Sequence, residues 1–131
     1  IKILKKNLKN RHDVTPTHSV DELLKLKSMF PKEIILHGAF LESKMIGGVV
    51  SFVTNDEVIL AFYISHDEIF QKFRPINLLF YEILKDAITN NFKVFDFGIF
   101  TIDEEPNMGL AKFKENFGSS GIFRDTLAFQ F

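Results

Sequence analysis

QKFRPINLLFYEILKDAIT (residues 71–89), followed by FKVFDFG (92–98) and NMGLAKFKENFG (107–118), carries three successive patterns that decide the fold. In the first, Ile76, Leu79, Phe80, Ile83, Leu84, Ala87 and Ile88 recur at helical spacing. Pro75 stands where a first helical residue would, because its missing N–H is not needed there. Asn90-Asn91 ends the helix. Val94–Phe97 then reads as a strand dense enough in large apolar residues to need burial, closed by Gly98. Strand, helix and strand in this order imply a right-handed crossover and a parallel pair. In the third pattern Asn107 caps a short helix bearing Leu110, Phe113 and Phe117, with Gly118 at its end.

Upstream lie three strand-like runs, Glu33–Glu42, Met45–Thr54 and Glu57–Ser65. The spacers Ser43-Lys44 and Asn55-Asp56 are short enough for hairpins, so the runs form an antiparallel meander. Gly47-Gly48 inside the second run marks a bulge or a close approach of backbone or ligand. Ser19 and Glu22 fit a capping box opening a helix with Val20, Leu23, Leu24, Leu26 and Met29, which stops before Pro31. Residues 1–9 read as the tail of an amphipathic helix, 10–18 as a loop around Pro16, Thr101–Pro106 as an acidic loop, and Ile122–Phe131 as a final strand. The expected architecture is a mixed α/β (α+β) sheet in one domain, 1–131. Its order is antiparallel meander, helix crossover to a parallel strand pair, short helix and final strand.

With 131 residues, 46% of them hydrophobic and 25% charged, the chain can bury a core of its own. A net charge of −1 argues against a broad nucleic-acid or anionic-membrane footprint. The basic run Lys2, Lys5, Lys6, Lys9 and Arg11 reads as a solvated helix face. Absence of cysteine removes disulfides, thiolate metal sites and thiol nucleophiles. No run is long and apolar enough to span a membrane, and no signal peptide is evident, so the cytoplasm is the expected compartment. The start at Ile1, inside a helical pattern, is that expected of a fragment of a longer chain.

Several residues carry possible chemistry. The helix mouth before Pro75 combines a positive dipole end with Arg74 and Asn77, and could seat a phosphate; Arg74 could equally cover a helix end. Asp96, between Phe95 and Phe97, needs partners if buried; it either satisfies nearby backbone N–H groups or faces a ligand cleft. His12, His18, His37 and His66 show no metal-ligand spacing, and His37 stands as a lone candidate base. Lys114 lies off the stripe of the short helix. Nucleophile-elbow, Walker and dinucleotide signatures do not occur.

Taken in order, HDVTPTHSVDELLKLKSMFP, ILHGAFLESKMIGGVVSFV, RPINLLFYEILKDA, FDFG and NMGLAKFKENFG resemble the GNAT-like acyltransferase superfamily. More narrowly, they resemble its FemAB-type branch (the BioF2-like acetyltransferase domain) over nearly the whole chain. The resemblance implies an acyl-CoA donor, such as acetyl-CoA, lying between two diverging parallel strands. Its pantetheine would run near Tyr63, Ile64 and Ser65, and its pyrophosphate would sit near Phe73, Arg74, Ile76 and Asn77. The acceptor amine, from a small molecule or a cell-envelope precursor, would meet His18, Gly98 and Asn107, with His37, Asp96 and Lys114 as candidate catalytic groups. No metal is implied. The glycine-rich turn typical of GNAT enzymes is replaced by Gln71-Lys-Phe-Arg-Pro-Ile76, and no tyrosine lies on the C-terminal helix. Three functions stand open: acyl-CoA-dependent N-acyl transfer, aminoacyl-tRNA-dependent peptidoglycan bridge synthesis, and a non-catalytic binding or dimerisation module, possible as a homodimer.

Overall fold

The computed structural model describes residues 2–12, 16–102, 105–125 and 127–130, which fall into two compact units, Ile1–Gly98 and Ile99–Phe131. In the first, α1 (Lys2–His12) and α2 (Val20–Met29) precede three strands, β1 (Ile34–Leu41), β2 (Lys44–Asn55) and β3 (Val58–His66). A 3-10 segment, Glu68–Phe73, leads into α3 (Pro75–Thr89), and β4 (Val94–Asp96) completes a four-stranded sheet of order β1-β2-β3-β4. β1, β2 and β3 form the antiparallel meander, whereas β3 and β4 are parallel across the α3 crossover. The second unit holds β5 (Thr101–Ile102) paired antiparallel with β6 (Glu105–Pro106), followed by α4 (Met108–Glu115).

Local chemistry accounts for the element ends. Ser19 accepts the Glu22 amide at 3.2 Å while the Glu22 carboxylate takes the Ser19 amide at 2.7 Å, the reciprocal capping box. Asn107 caps α4 by accepting the Leu110 amide at 2.9 Å. Asn91 adopts a left-handed φ of 61° after α3, and the Phe92 amide returns to the Ala87 carbonyl at 2.9 Å.

α3 packs on β1, β2 and β3 through Pro75, Ile76, Leu79, Phe80, Ile83 and Ala87. Opposite them lie Val49, Ile59 and Ala61, all buried. Phe80 is fully buried, edge-on to Phe95 and Phe97 at ring-centroid distances of 5.9 and 5.1 Å. Removing each such side chain from water stabilises the fold by about 1.5–3 kcal/mol. The buried stripe stops at Ala87; Ile88, expected to continue it, is 76% exposed.

Three expectations need correction. Asn10–His12, read as loop, continue α1, because Pro16 restricts only the residue directly before it and leaves Asn10–His12 free to carry the helix on. Of the acidic loop expected over Thr101–Pro106, the two flanks form a small ladder, Thr101↔Pro106 and Ile102↔Glu105, while residues 103–104 lie outside the described residues; Pro106 needs no donor at such an edge. In the segment read as the final strand, residues 122–125 and 127–130 form no strand among the described residues, and Ile122, Leu127 and Phe129 are each 75% exposed. Alternating apolar residues supply a strand's pattern, but a strand exists only where another offers its hydrogen bonds.

Candidate active site

β3 and β4 pair only over Val58↔Val94, Ile59↔Phe95 and Leu60↔Asp96. Beyond that point β3 runs on to His66, hydrogen-bonded to β2, with no strand on its other side among the described residues. β4 is turned away by its own sequence: Asp96 Oδ1 accepts the Gly98 amide at 2.7 Å, an Asx turn, and Gly98 adopts φ +71°. A Cβ at Gly98 would lie 3.4 Å from the Ala61 carbonyl oxygen. Asp96 is therefore committed to ending its strand at the mouth of the divergence. A strand edge of this kind offers backbone N–H and C=O groups to an extended ligand.

The tip of α3 stands near the far end of β3. Arg74, exposed and left-handed at φ 48°, is the N-cap residue and makes no side-chain capping bond. Pro75 has no N–H, and the Asn77 and Leu78 amides both donate to the Arg74 carbonyl at 3.0 and 3.4 Å. The first turn thus has few amides left to offer, so any anion seat there depends on the Arg74 guanidinium, the dipole and the exposed Asn77 side chain. Ile76 is buried, and Phe73 is half-exposed with Lys72 over its ring at 5.0 Å. Gly47 explains how the tip reaches the sheet: a Cβ there would lie 3.1 Å from Pro75 Cβ. The close approach expected at Gly47-Gly48 is made by α3, and the neighbouring Ile46 is the extra residue of a bulge opposite Ala39/Phe40.

The opposite sheet face carries a second constellation. The β2–β3 register skips Phe62, pairing Val50 with Tyr63 and Ser51 with Ala61. This bulge sets Phe62 and Tyr63 on the same face. Phe62 stacks on Phe52 at 4.4 Å, and His18 lies edge-on to Phe62 at 5.8 Å. Tyr63 Oη accepts the His18 backbone N–H at 3.1 Å and lies 3.0 Å from His18 Nδ1. On the same face, Ser65 Oγ accepts from Asn7 Nδ2 at 2.8 Å. His18 is thus brought to Tyr63, and Asn7 to Ser65, from distant positions, and Tyr63 and Ser65 present backbone rather than free side chains to the β3 edge. Asn7 and Phe62 escaped the sequence reading: the register skip has no glycine to announce it, and Asn7 is one polar residue in a basic helix.

His37 does not join this group. It pairs with Val49, which pairs with Ile64, and faces α3, where its Nε2 lies 3.8 Å from Asp86 Oδ2. Its Nδ1 is buried without a hydrogen-bond partner. Burial depresses the His37 pKa below 6.5, with Asp86 opposing more weakly. Folding therefore favours the neutral ring, and its contribution is complete above about pH 6.5 and is lost as pH falls towards the lower folded value. In melting curves from pH 7.5 to 5, wild type should lose more stability than His37→Gln; parallel curves would show that the ring titrates alike in both states.

In the second unit, Lys114 is buried at 6% exposure and its Nζ donates to the Ile99 carbonyl at 2.6 Å, while Asn107 is occupied as the α4 cap. Among the described residues no cluster of three or more His, Asp or Glu side chains could hold a metal. Among them, too, no helix is long and apolar enough to cross a membrane.

Residues 4–115 match the Acetyltransferase (GNAT) domain family. No curated protein matches the chain. Among solved structures, an aminoglycoside acetyltransferase from an uncultured soil metagenomic sample, in complex with sisomicin, superposes with TM-score 0.64 at 12% identity, covering 98% of this chain and 88% of that one. Ard1 from Thermoplasma volcanium gives 0.62 at 14% identity, covering 87% and 76%. A GNAT family acetyltransferase from Elizabethkingia anophelis with acetyl-CoA bound gives 0.55 at 18% identity, covering 79% and 71%. At these identities the likeness establishes the shared fold.

Proposed function

The chain belongs to the GNAT acetyltransferase domain family, and on that premise we propose that it transfers an acyl group from acyl-CoA to the amine of a small molecule. The observation that carries this reading is the three-residue limit of the β3–β4 pairing, which leaves the β3 edge open beside the α3 tip. The donor's pantetheine lies along the backbone of Tyr63, Ile64 and Ser65, and its pyrophosphate meets Arg74 and Asn77, flanked by Phe73 and Ile76. The unprotonated amine attacks the thioester carbonyl carbon while β3 amides hold the developing oxyanion. The C–S bond then breaks, CoA departs as a thiolate that takes up a proton, and the amine gives up its own. His18, held by Tyr63, is the group assigned to accept that proton. Asp96 and Gly98 shape the mouth; Asn107 and Lys114 brace their own unit, and His37 takes no part.

The test is thiol release from acetyl-CoA in the presence of aminoglycosides and polyamines, together with thermal shift by acetyl-CoA. Amine-dependent release and a shift to higher melting temperature are expected; neither effect with acetyl-CoA or longer acyl-CoA would overturn the reading. Arg74→Ala should raise the KM for acetyl-CoA about three- to tenfold with kcat little changed, since an exposed guanidinium contributes to binding alone. Arg74→Gly should weaken the donor equally yet melt higher than Arg74→Ala, because glycine relieves a left-handed strain of about 1 kcal/mol. An unchanged KM in both variants would remove Arg74 from the donor site.

A further inference from the structure

We propose that α1 is a splint across the junction of β3 and the 3-10 segment, and that Asn7 is the positioning residue that holds the β3 edge in register with the α3 tip. The proposal rests on the acyl-CoA reading above and deepens it.

Asn7 and its neighbour Lys6 engage three consecutive residues. Asn7 Nδ2 donates to Ser65 Oγ at 2.8 Å and to the His66 carbonyl at 2.7 Å, while Lys6 Nζ lies 3.6 Å from Asp67 Oδ1. Asp67 also faces Lys44 Nζ at 3.7 Å, caps the 3-10 segment through the Ile69 amide, and donates its own amide to the Ile46 carbonyl at 2.8 Å. The chain that follows, Glu68–Phe73, ends with the Arg74 amide on the Gln71 carbonyl, directly before α3. The Ser65–Asp67 junction is therefore the covalent link between the strand edge and the helix tip.

The amide orientation of Asn7 is not arbitrary. A carbonyl accepts only a donor, so His66 fixes Nδ2 towards the junction and directs Oδ1 away from it. Oδ1 is then buried without a hydrogen-bond partner, on a residue only 9% exposed. An apolar side chain would avoid that cost. What the amide supplies instead is two fixed bonds to the end of β3.

The consequence is specific to a long donor. Intact acetyl-CoA must touch the β3 edge and the α3 tip at once, so its affinity depends on their fixed separation. S-acetylpantetheine, which lacks the nucleotide and its phosphates, needs the strand edge alone. Asn7→Asp keeps the side-chain volume but removes both donors and sets a carboxylate against the His66 carbonyl.

The experiment compares the two donors in wild type and Asn7→Asp. The KM for acetyl-CoA should rise about tenfold, with the KM for S-acetylpantetheine and both kcat values within about twofold of wild type. A merely structural defect would lower kcat for both donors alike, and that result, or no change with either, would overturn the proposal. Should Asn7→Asp not fold, Asn7→Leu keeps a similar volume and removes both bonds without introducing a charge, and the same donor split is expected at about threefold or more. Failure of wild type to use either donor would overturn the acyl-CoA reading instead. In that event amide hydrogen exchange decides the splint: Asp67, Phe70 and Arg74 should exchange about tenfold faster in the variant, with Phe80 and Ile83 unchanged. Unaltered exchange at Asp67–Arg74 would overturn it.

Discussion

Phe80→Ala should lower the free energy of unfolding by about 3–5 kcal/mol. The side chain is fully buried and meets Phe95 and Phe97 edge-on, so truncation removes apolar burial, leaves a cavity beneath α3 and forfeits two ring contacts. Few domains of this size have stability enough to absorb that loss comfortably. Urea titration of the two proteins is the measurement, read as a fall in midpoint at constant slope. A loss under about 1 kcal/mol would mean that α3 and β4 can repack around the gap, and that the crossover is looser than its geometry implies.

Gly47→Val should give the largest effect on turnover, about a hundredfold in kcat/KM for acetyl-CoA, with the fold retained. The new Cβ would stand 3.1 Å from Pro75 Cβ and 3.3 Å from Pro75 Cγ. A proline ring cannot rotate away, so the start of α3 must move outward. Overpacking of this kind costs about 1–3 kcal/mol. The functional penalty is greater because a displacement of about 1 Å within a positioned site can cost a hundredfold. Gly47→Ala, with no γ carbons, should fall between. Initial rates over a range of acetyl-CoA concentrations separate the outcomes; wild-type kinetics in Gly47→Val would show that the spacing of helix tip and sheet does not govern the donor.

How far each feature was legible depended on the range of the interactions that create it. Periodicity and caps are local, so α2, α3 and α4 could be placed from Ser19, Pro75 and Asn107, and the meander from its two short spacers. Strand alternation at Ile122–Phe131 was equally visible, yet pairing is a property of two segments, and one segment's pattern does not reveal whether the other is there. The site was harder for the same reason. Arg74 and Pro75 could be read together because they are adjacent, and Asp96 with Gly98 because an Asx turn spans two residues. His18 with Tyr63, and Asn7 with Ser65, are partnerships made by packing α1 and the following loop against the sheet. The bulge at Phe62 reversed the facing of everything beyond it, which no count of alternating residues could anticipate.

The two hairpins of the meander close loops of a few residues, whereas the parallel β3–β4 ladder must wait for the whole of α3 to be gathered between its strands. Loop-closure entropy leads to the expectation that antiparallel pairing forms early and the crossover last. With only three residue pairs to hold it, the ladder is also the part of the sheet expected to open first in native-state fluctuations. A chain caught before that final condensation would already own its meander and its bulges, and would have no cleft at all; ligand occupancy should therefore protect the last-formed contacts far more than the first.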